Sequence, residues 1–153
     1  MTTIYLIRHA EAEGNYFKRI HGQYDSPVTA LGRQQIACLE QRFADIPVDA
    51  VYSSDLRRTC QTAEAVTMPK GLPLHREPLL REIHLGEWED QPFGAVMRTQ
   101  MDQMIQFQQG VLSWSAPGGE SIGRVRERME KSLGRIPVKR WPCSATVPPS
   151  VTC

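Results

Sequence analysis

Three separated segments of the sequence carry residue types that suit the binding of an anion. Arg8 and His9 directly follow the apolar residues 4–7, Arg58 lies where a predicted strand gives way to a predicted helix, and Glu82 precedes a glycine turn. The planar guanidinium group matches phosphate geometry. The free N–H groups at a helix start also attract anions. Such residues must come from different elements that meet at one point.

The hydrophobic pattern of the first half predicts alternating strands and helices. Residues 4–7 form a continuous apolar run, which is typical of a strand buried on both faces. Thr29 is a predicted helix cap, residues 50–53 a second strand, and Ser54 the cap of a second helix. A turn at 71–73 leads to a third strand at 74–76. This order predicts an α/β fold with right-handed crossovers, in which His9 lies at the carboxyl end of a strand where ligand crevices open.

The second half is predicted to be helical up to residue 136. Apolar residues recur at helical spacing over 92–109, a Pro-Gly-Gly break follows at 117–119, and a regular amphipathic helix runs over 122–136. The last 17 residues hold 4 of the 11 prolines and show no period. We therefore expect one domain over 1–136 and an irregular or disordered tail over 137–153.

Composition excludes several classes of protein. The 18 Lys and Arg residues balance 17 Asp and Glu residues, for a net charge of +1, so a basic nucleic-acid-coating protein is disfavoured. No apolar run approaches the roughly 18 residues that span a membrane. The N-terminus lacks the pattern of a signal peptide, and the cysteines have no C-x-x-C spacing. We expect a cytoplasmic protein with neither a nucleic-acid nor a membrane partner; the sequence leaves its oligomeric state open.

Five motifs in order resemble those of the histidine phosphatase superfamily, in its phosphoglycerate mutase-like branch. They are Arg8-His9 with Asn15 downstream, the loop and helix start at 21–32, the segment around Arg58, the segment around Glu82, and the turn at 117–121. The resemblance extends from about residue 3 to residue 136. Ala10 replaces the commoner glycine after the histidine, a small change in volume. The family fold implied is a three-layer α/β/α structure with a mostly parallel central sheet.

The resemblance also implies a role for each site residue. His9 would be the nucleophile that becomes phosphorylated, and Glu82 the acid and then the base. Arg8, Arg58 and Asn15 would bind the phosphoryl oxygens. No metal and no cofactor are implied, because the guanidinium groups stabilise the charge that Mg²⁺ stabilises elsewhere. The substrate loop would consist of His21, Gly22 and Gln23.

The resemblance stops after the last predicted helix. Family members continue with a buried strand that ends in a second histidine, whereas the histidines of this sequence are His9, His21, His75 and His84. The fold is therefore expected to lack its C-terminal strand, and the composition break suggests a truncated or frame-shifted reading of a longer gene. Loss of that strand and histidine predicts reduced stability and impaired activity.

The predicted function is a phosphomonoesterase that acts on a small phosphorylated metabolite through a phosphohistidine. Phosphoglycerate mutase-type transfer and a non-catalytic phospho-ligand-binding remnant remain as alternatives. Other candidates receive structural interpretations. Arg57, His21 and His84 are expected to be mainly surface groups and His75 structural, while Trp88, Met97, Met101 and Met104 are expected to pack.

Overall fold

The computed structural model describes residues 3–136, and the predicted tail at 137–153 lies outside the described residues. The elements follow one another as α1 (Glu13–Tyr16), α2 (Ala30–Phe43), β1 (Val51–Ser53), α3 (Arg57–Lys70), β2 (Leu74–Arg76), α4 (Phe93–Thr99), α5 (Met101–Gln108) and α6 (Ile122–Leu133). Short 3₁₀ turns lie at Pro78–Leu80 and Gly86–Trp88.

Strands β1 and β2 confirm the predicted parallel α/β arrangement. They pair in register, with Val51 opposite Leu74 and Ser53 opposite Arg76, and α3 forms the crossover between them. Helix α3 ends at Gly71, whose left-handed φ of 64° closes the predicted turn. Because β1 and β2 are parallel, the loops that follow them leave the sheet at the same edge.

The prediction of a buried strand over residues 4–7 is wrong. In the described part of the chain, no strand or bridge includes these residues. Tyr5, Leu6 and Ile7 are 43–50% exposed. A strand requires a backbone partner along at least one edge, and an apolar run alone does not supply one. The segment is instead held from the side, where the Tyr5 ring meets Phe43 of α2 at 5.3 Å between ring centroids.

Of the two predicted helix caps, one is present and one is not, and a third helix has a cap that was not predicted. The Thr29 hydroxyl accepts the N–H of Gly32 at 3.0 Å and begins α2, as predicted. Ser121 caps α6 in the same way. The predicted Ser54 cap is wrong, because α3 begins only after Leu56 and the Ser54 hydroxyl bonds to that of Thr59 at 2.7 Å.

The long predicted helix over 92–109 is two helices, α4 and α5, which break at Gln100. The Gln100 side chain accepts the indole N–H of Trp88 at 2.8 Å, so the residue at the break supplies the acceptor that this buried donor needs. Helix α6 ends at Leu133, three residues before its predicted end.

Two apolar clusters lie on different parts of the fold. One joins α2 to α3 and contains Leu39, Phe43, Ala65 and Val66. The other surrounds Trp88, which is 2% exposed, and includes Trp114 and Met104. This confirms the packing role of Trp88 and Met104, whereas Met101 is 47% exposed and its predicted packing is wrong. No described helix is long and apolar enough to cross a membrane.

Candidate active site

His9 lies at the end of the extended first segment, and two hydrogen bonds of His9 and Ala10 hold this part of the chain in place. The N–H of the next residue, Ala10, donates to the hydroxyl of Thr62 on α3 at 3.0 Å. The Nδ1 atom of His9 lies 2.7 Å from the Ala10 carbonyl oxygen. Since a carbonyl oxygen only accepts, Nδ1 carries the proton of the neutral ring. The lone pair is therefore on Nε2, which is the atom left to act as a nucleophile.

The surroundings of His9 favour its neutral form. Burial lowers the pKa of His9 below its ordinary value, and the bond to the Ala10 carbonyl partly opposes this effect. The positive charges of Arg58 and Arg8 lower the pKa further, while Glu82 raises it. These influences bring four sequence-predicted site residues into one electrostatic neighbourhood: His9, Arg8, Arg58 and Glu82.

Arg58 is 1% exposed and extends from the first turn of α3 beneath the loop at 21–25. One terminal nitrogen donates to the carbonyl of Gly22 at 2.8 Å, and the other donates to the carbonyl of Tyr24 at 2.7 Å. Burial lowers the pKa of Arg58, against the opposing charges of Asp25, Glu82 and Glu89. Its Nε–H has no acceptor among the described residues. Arg58 thus holds the loop through its two terminal nitrogens, and its Nε–H remains able to donate to a bound group.

The loop of His21, Gly22 and Gln23 closes over this region. The His21 ring lies 6.0 Å from that of His9 between centroids, and its Nε2 is 3.2 Å from the Ser26 hydroxyl. Burial, followed by the nearby Arg58 charge, lowers the pKa of His21 to about 4. His21 is therefore a half-buried neutral group beside His9, and its interpretation as a surface residue is wrong.

Gly22 must be glycine for two reasons. Its φ is +49°, and an added Cβ would lie 2.3 Å from an oxygen of Glu89. That same Glu89 oxygen accepts the N–H of Gln23 at 2.8 Å and that of Leu85 at 2.9 Å. Glu89 therefore joins the substrate loop to the segment that contains Glu82.

Glu82 is exposed at its side chain but firmly held at its backbone. One carboxylate oxygen accepts the N–H of Ile83 at 2.9 Å, which leaves the second oxygen open. The preceding Arg81 forms a two-pronged ion pair with Asp55, on the loop that leads from β1 to α3. An exposed carboxyl group of this kind can donate and accept a proton.

Asn15 and Arg8 are less firmly connected to the rest of the site. The Asn15 side-chain oxygen accepts the N–H of Ala12 at 3.0 Å and so closes the start of α1. Within residues 3–136, no hydrogen bond joins the Asn15 side chain to His9 or Arg58. Arg8 is exposed. Arg8 therefore acts on His9 through its charge, which lowers the pKa of the ring, and Asn15 caps the start of α1.

The remaining polar candidates have the following positions. Arg57 is exposed, as expected, although its N–H donates to Asp25 at 2.7 Å. His75 stacks on Tyr52 at 4.8 Å, and His84 Nε2 is 3.9 Å from a Glu89 oxygen. No group of three metal-ligating side chains occurs in the described part of the chain.

Sequence reasoning missed three residues that organise the site: Glu89, Glu120 and Arg128. Each makes contacts with loops far away along the chain, and Arg128 lies 46 positions from Glu82 in sequence. Residue type and local spacing carry no signal for such contacts. Two of the three lay within motifs, Glu120 in the Pro-Gly-Gly-Glu-Ser turn and Glu89 at the end of the segment around Glu82, but neither was singled out.

The sequence profile of the histidine phosphatase superfamily (branch 1) matches residues 4–143. The probable phosphoglycerate mutase GpmB of Serratia proteamaculans is 35% identical over 133 residues, which cover 87% of this chain and 62% of that protein. The chain therefore spans less than two-thirds of the length of this relative.

Three solved structures illustrate the similarity of fold. Bacillus stearothermophilus YhfR superposes with a TM-score of 0.76 at 31% identity, over 83% of this chain and 63% of that one. The α-ribazole phosphatase of Shigella flexneri gives 0.75 at 28% identity, over 84% and 64%. A mycobacterial glucosyl-3-phosphoglycerate phosphatase solved with VO3 gives 0.72 at 26% identity, over 84% and 66%.

Proposed function

The chain belongs to the histidine phosphatase superfamily, and from this premise we propose that it is a phosphomonoesterase that forms a phosphohistidine at His9. The observation that carries the proposal is the state of His9: a neutral ring whose Nδ1–H is held by the Ala10 carbonyl, next to the charges of Arg58 and Arg8. A nucleophile for phosphate needs this combination of a free lone pair and nearby cations.

The first step forms a nitrogen–phosphorus bond. Nε2 of His9 attacks the phosphorus, the bond from phosphorus to the leaving oxygen breaks, and that oxygen takes a proton from Glu82. In the second step Glu82, now a carboxylate, takes a proton from water. The water oxygen attacks phosphorus, the nitrogen–phosphorus bond breaks, and inorganic phosphate leaves. Arg8, Arg58 and Asn15 would bind the phosphoryl oxygens, with His21, Gly22 and Gln23 lining the approach.

We infer low turnover for the 153-residue chain. Its four histidines include none that follows His84, so the second pocket histidine of the family has no counterpart in this sequence. Losing one donor to a developing oxyanion costs on the order of 10²–10³ in rate. The proposed substrates are small phosphate esters of the cytoplasm; we propose neither a metal, nor a cofactor, nor a nucleic-acid or membrane partner.

Mutase activity is the second candidate, favoured by the name of the GpmB relative. It shares the first step and differs only in whether water or a second substrate hydroxyl receives the phosphoryl group. Incubation with a phosphoglycerate separates the two: a phosphatase releases inorganic phosphate, and a mutase yields the positional isomer. A phospho-ligand binder without turnover would yield neither product.

The test compares turnover of a panel of phosphorylated metabolites and aryl phosphates by the 153-residue chain and two variants. We expect slow phosphate release by the parent chain, none by His9→Asn, and parental release by His75→Asn, since His75 stacks on Tyr52. A radiolabelled substrate should leave an acid-labile, alkali-stable label on the parent chain and on His75→Asn, but not on His9→Asn. Equal turnover by His9→Asn would defeat the proposal.

A further inference from the structure

We propose that Arg128, on α6, is the positioning residue that fixes the backbone of Glu82 so that its carboxyl group can protonate the leaving group. The inference rests on the proposed function, since it assigns a residue that serves the acid of that reaction. Arg128 lies on the last described helix, far along the chain from the motifs that predicted the site.

The contacts of Arg128 converge on the segment that carries Glu82. Its Nη1 donates to the carbonyls of Leu79, at 2.7 Å, and of Arg81. Its Nη2 donates to the carbonyl of Glu82 itself at 3.0 Å. One guanidinium group therefore binds three carbonyls within four consecutive residues, and it fixes the path of the chain on both sides of the Arg81–Glu82 peptide bond.

A second residue fixes Arg128 in turn. Glu120 accepts from Nε at 3.0 Å and from Nη2 at 2.7 Å, and the two side chains are only 16% and 15% exposed. The Glu120 oxygen that meets Nη2 also accepts the N–H of His84 at 2.8 Å. Burial raises the pKa of Glu120, but bonds from Arg128 and His84 outweigh this and leave it lowered. Arg128 and Glu120 together therefore hold both flanks of Glu82.

The opposite side of the segment is fixed to the site. Arg81 pairs with Asp55, and the side-chain amide of Gln23 donates to the Glu82 carbonyl at 3.1 Å. The Glu82 carbonyl thus lies between the substrate loop and α6. Moving a catalytic group by about 1 Å can cost on the order of 100-fold in rate, so loss of the Arg128 contacts should show in catalysis.

The experiment compares two substrates on the same sample of the 153-residue chain. A phosphate ester of a poor leaving group, such as an alkyl alcohol, needs a proton from Glu82 in the transition state, whereas one of a strongly acidic phenol needs little help. The ratio of kcat/KM for the two substrates is independent of how much of the sample is folded. A residue that supports only the fold would leave this ratio unchanged.

We expect Arg128→Met to reduce kcat/KM for the alkyl ester by on the order of 10- to 100-fold more than for the activated aryl ester. Arg128→Lys keeps the charge but loses the planar set of donors. It should therefore change the ratio of kcat/KM in the same direction, by a smaller factor. The matched control is Arg126→Met, because Arg126 lies on the same helix and, among the described residues, forms its ion pair with Glu130, where the two side chains are 66% and 62% exposed. Its ratio should equal that of the parent chain.

A double-mutant cycle identifies Glu82 as the residue through which Arg128 acts. In a Glu82→Gln background, Arg128→Met should no longer alter the ratio, because the proton donor is already absent. An unchanged ratio in both Arg128 variants, with the label still formed on His9, overturns the positioning role alone. Absence of the His9 label in the parent chain overturns the proposed function and this inference together.

Discussion

At the residue scale, the state of His9 depends on one short contact and on its neighbours. The Ala10 carbonyl selects the tautomer with Nε2 free, and the surroundings keep the ring neutral. Burial is the largest cause of the lowered pKa, and the Arg58 and Arg8 charges reinforce it. The site therefore keeps His9 neutral down to a lower pH than an ordinary histidine would be.

The pKa of His9 should rise when a neighbouring cation is removed. Because imidazolium is repelled by a guanidinium, Arg58→Met stabilises the protonated ring, and the acid limb of any activity moves to higher pH. NMR titration of the His9 ring measures this rise of the pKa directly. Arg8→Met should shift it in the same direction, while Arg57→Met, on the exposed face of α3, should not.

A fall in the His9 pKa in either variant, or an equal rise in Arg57→Met, would contradict this electrostatic interpretation. The sequence identified the participating residues because they lie in motifs that resemble those of the histidine phosphatase superfamily. It did not reveal that Arg58 also holds the Gly22 and Tyr24 carbonyls, since those contacts arise from the folding of a loop over α3.

At the element scale, the segment containing Glu82 is positioned by the turn that precedes α6. The N–H of Glu87 donates to the Pro117 carbonyl at 2.9 Å, and that of Glu120 donates to the His84 carbonyl at 2.9 Å. The close approach depends on Gly86, where an added Cβ would lie 2.1 Å from the Pro117 oxygen. The crossing of these two turns connects α6 to the site.

Two glycines with similar backbone angles test this crossing. Gly86 and Gly71 have φ of +51° and +64°, but an added Cβ at Gly71 meets nothing within 4 Å. Gly71→Ala should therefore cost only the left-handed backbone penalty, about 1–2 kcal/mol of unfolding free energy. Gly86→Ala adds a backbone clash and should cost at least about 2 kcal/mol more. Urea denaturation measures the free energy of unfolding of both variants. Equal losses of stability would show that Gly86 is not tightly packed against the Pro117 turn.

Local signals predicted these elements with uneven success. Thr29, Ser121 and Gly71 act through their own backbone neighbours, so their positions could be read from the sequence. The break between α4 and α5 could not, because Gln100 there bonds to Trp88, twelve residues away. Ser54 has the right residue type for a cap but bonds to Thr59 instead.

At the scale of the whole molecule, two apolar clusters lie around Leu39 and Trp88, and the first apolar segment is largely exposed beside the first of them, where Tyr5 meets Phe43. The sequence pattern of residues 4–7 matches that of a buried strand, but burial depends on what the rest of the chain places around it. The α/β class was therefore predictable, and the surroundings of this segment were not.

Two leucines should differ sharply in their contribution to stability. Leu39 is 8% exposed in the α2–α3 cluster, and Leu39→Ala should lower the free energy of unfolding by about 2–4 kcal/mol. Leu6 is 50% exposed, so Leu6→Ala should cost about 0.5 kcal/mol or less. Thermal or urea unfolding of the two variants supplies the comparison. A large loss in Leu6→Ala would indicate that the first segment is packed after all.

The most direct measurement is to locate the phosphoryl group after the 153-residue chain reacts with an activated phosphate ester. Digestion under alkaline conditions, followed by mass spectrometry, reports which peptide and which side chain carries the added phosphate. We expect a single modified residue, His9, with the group on Nε2, and none in the His9→Asn variant. Ester cleavage with phosphate on another residue, or with no protein adduct under conditions that preserve phosphohistidine, would contradict the central claim.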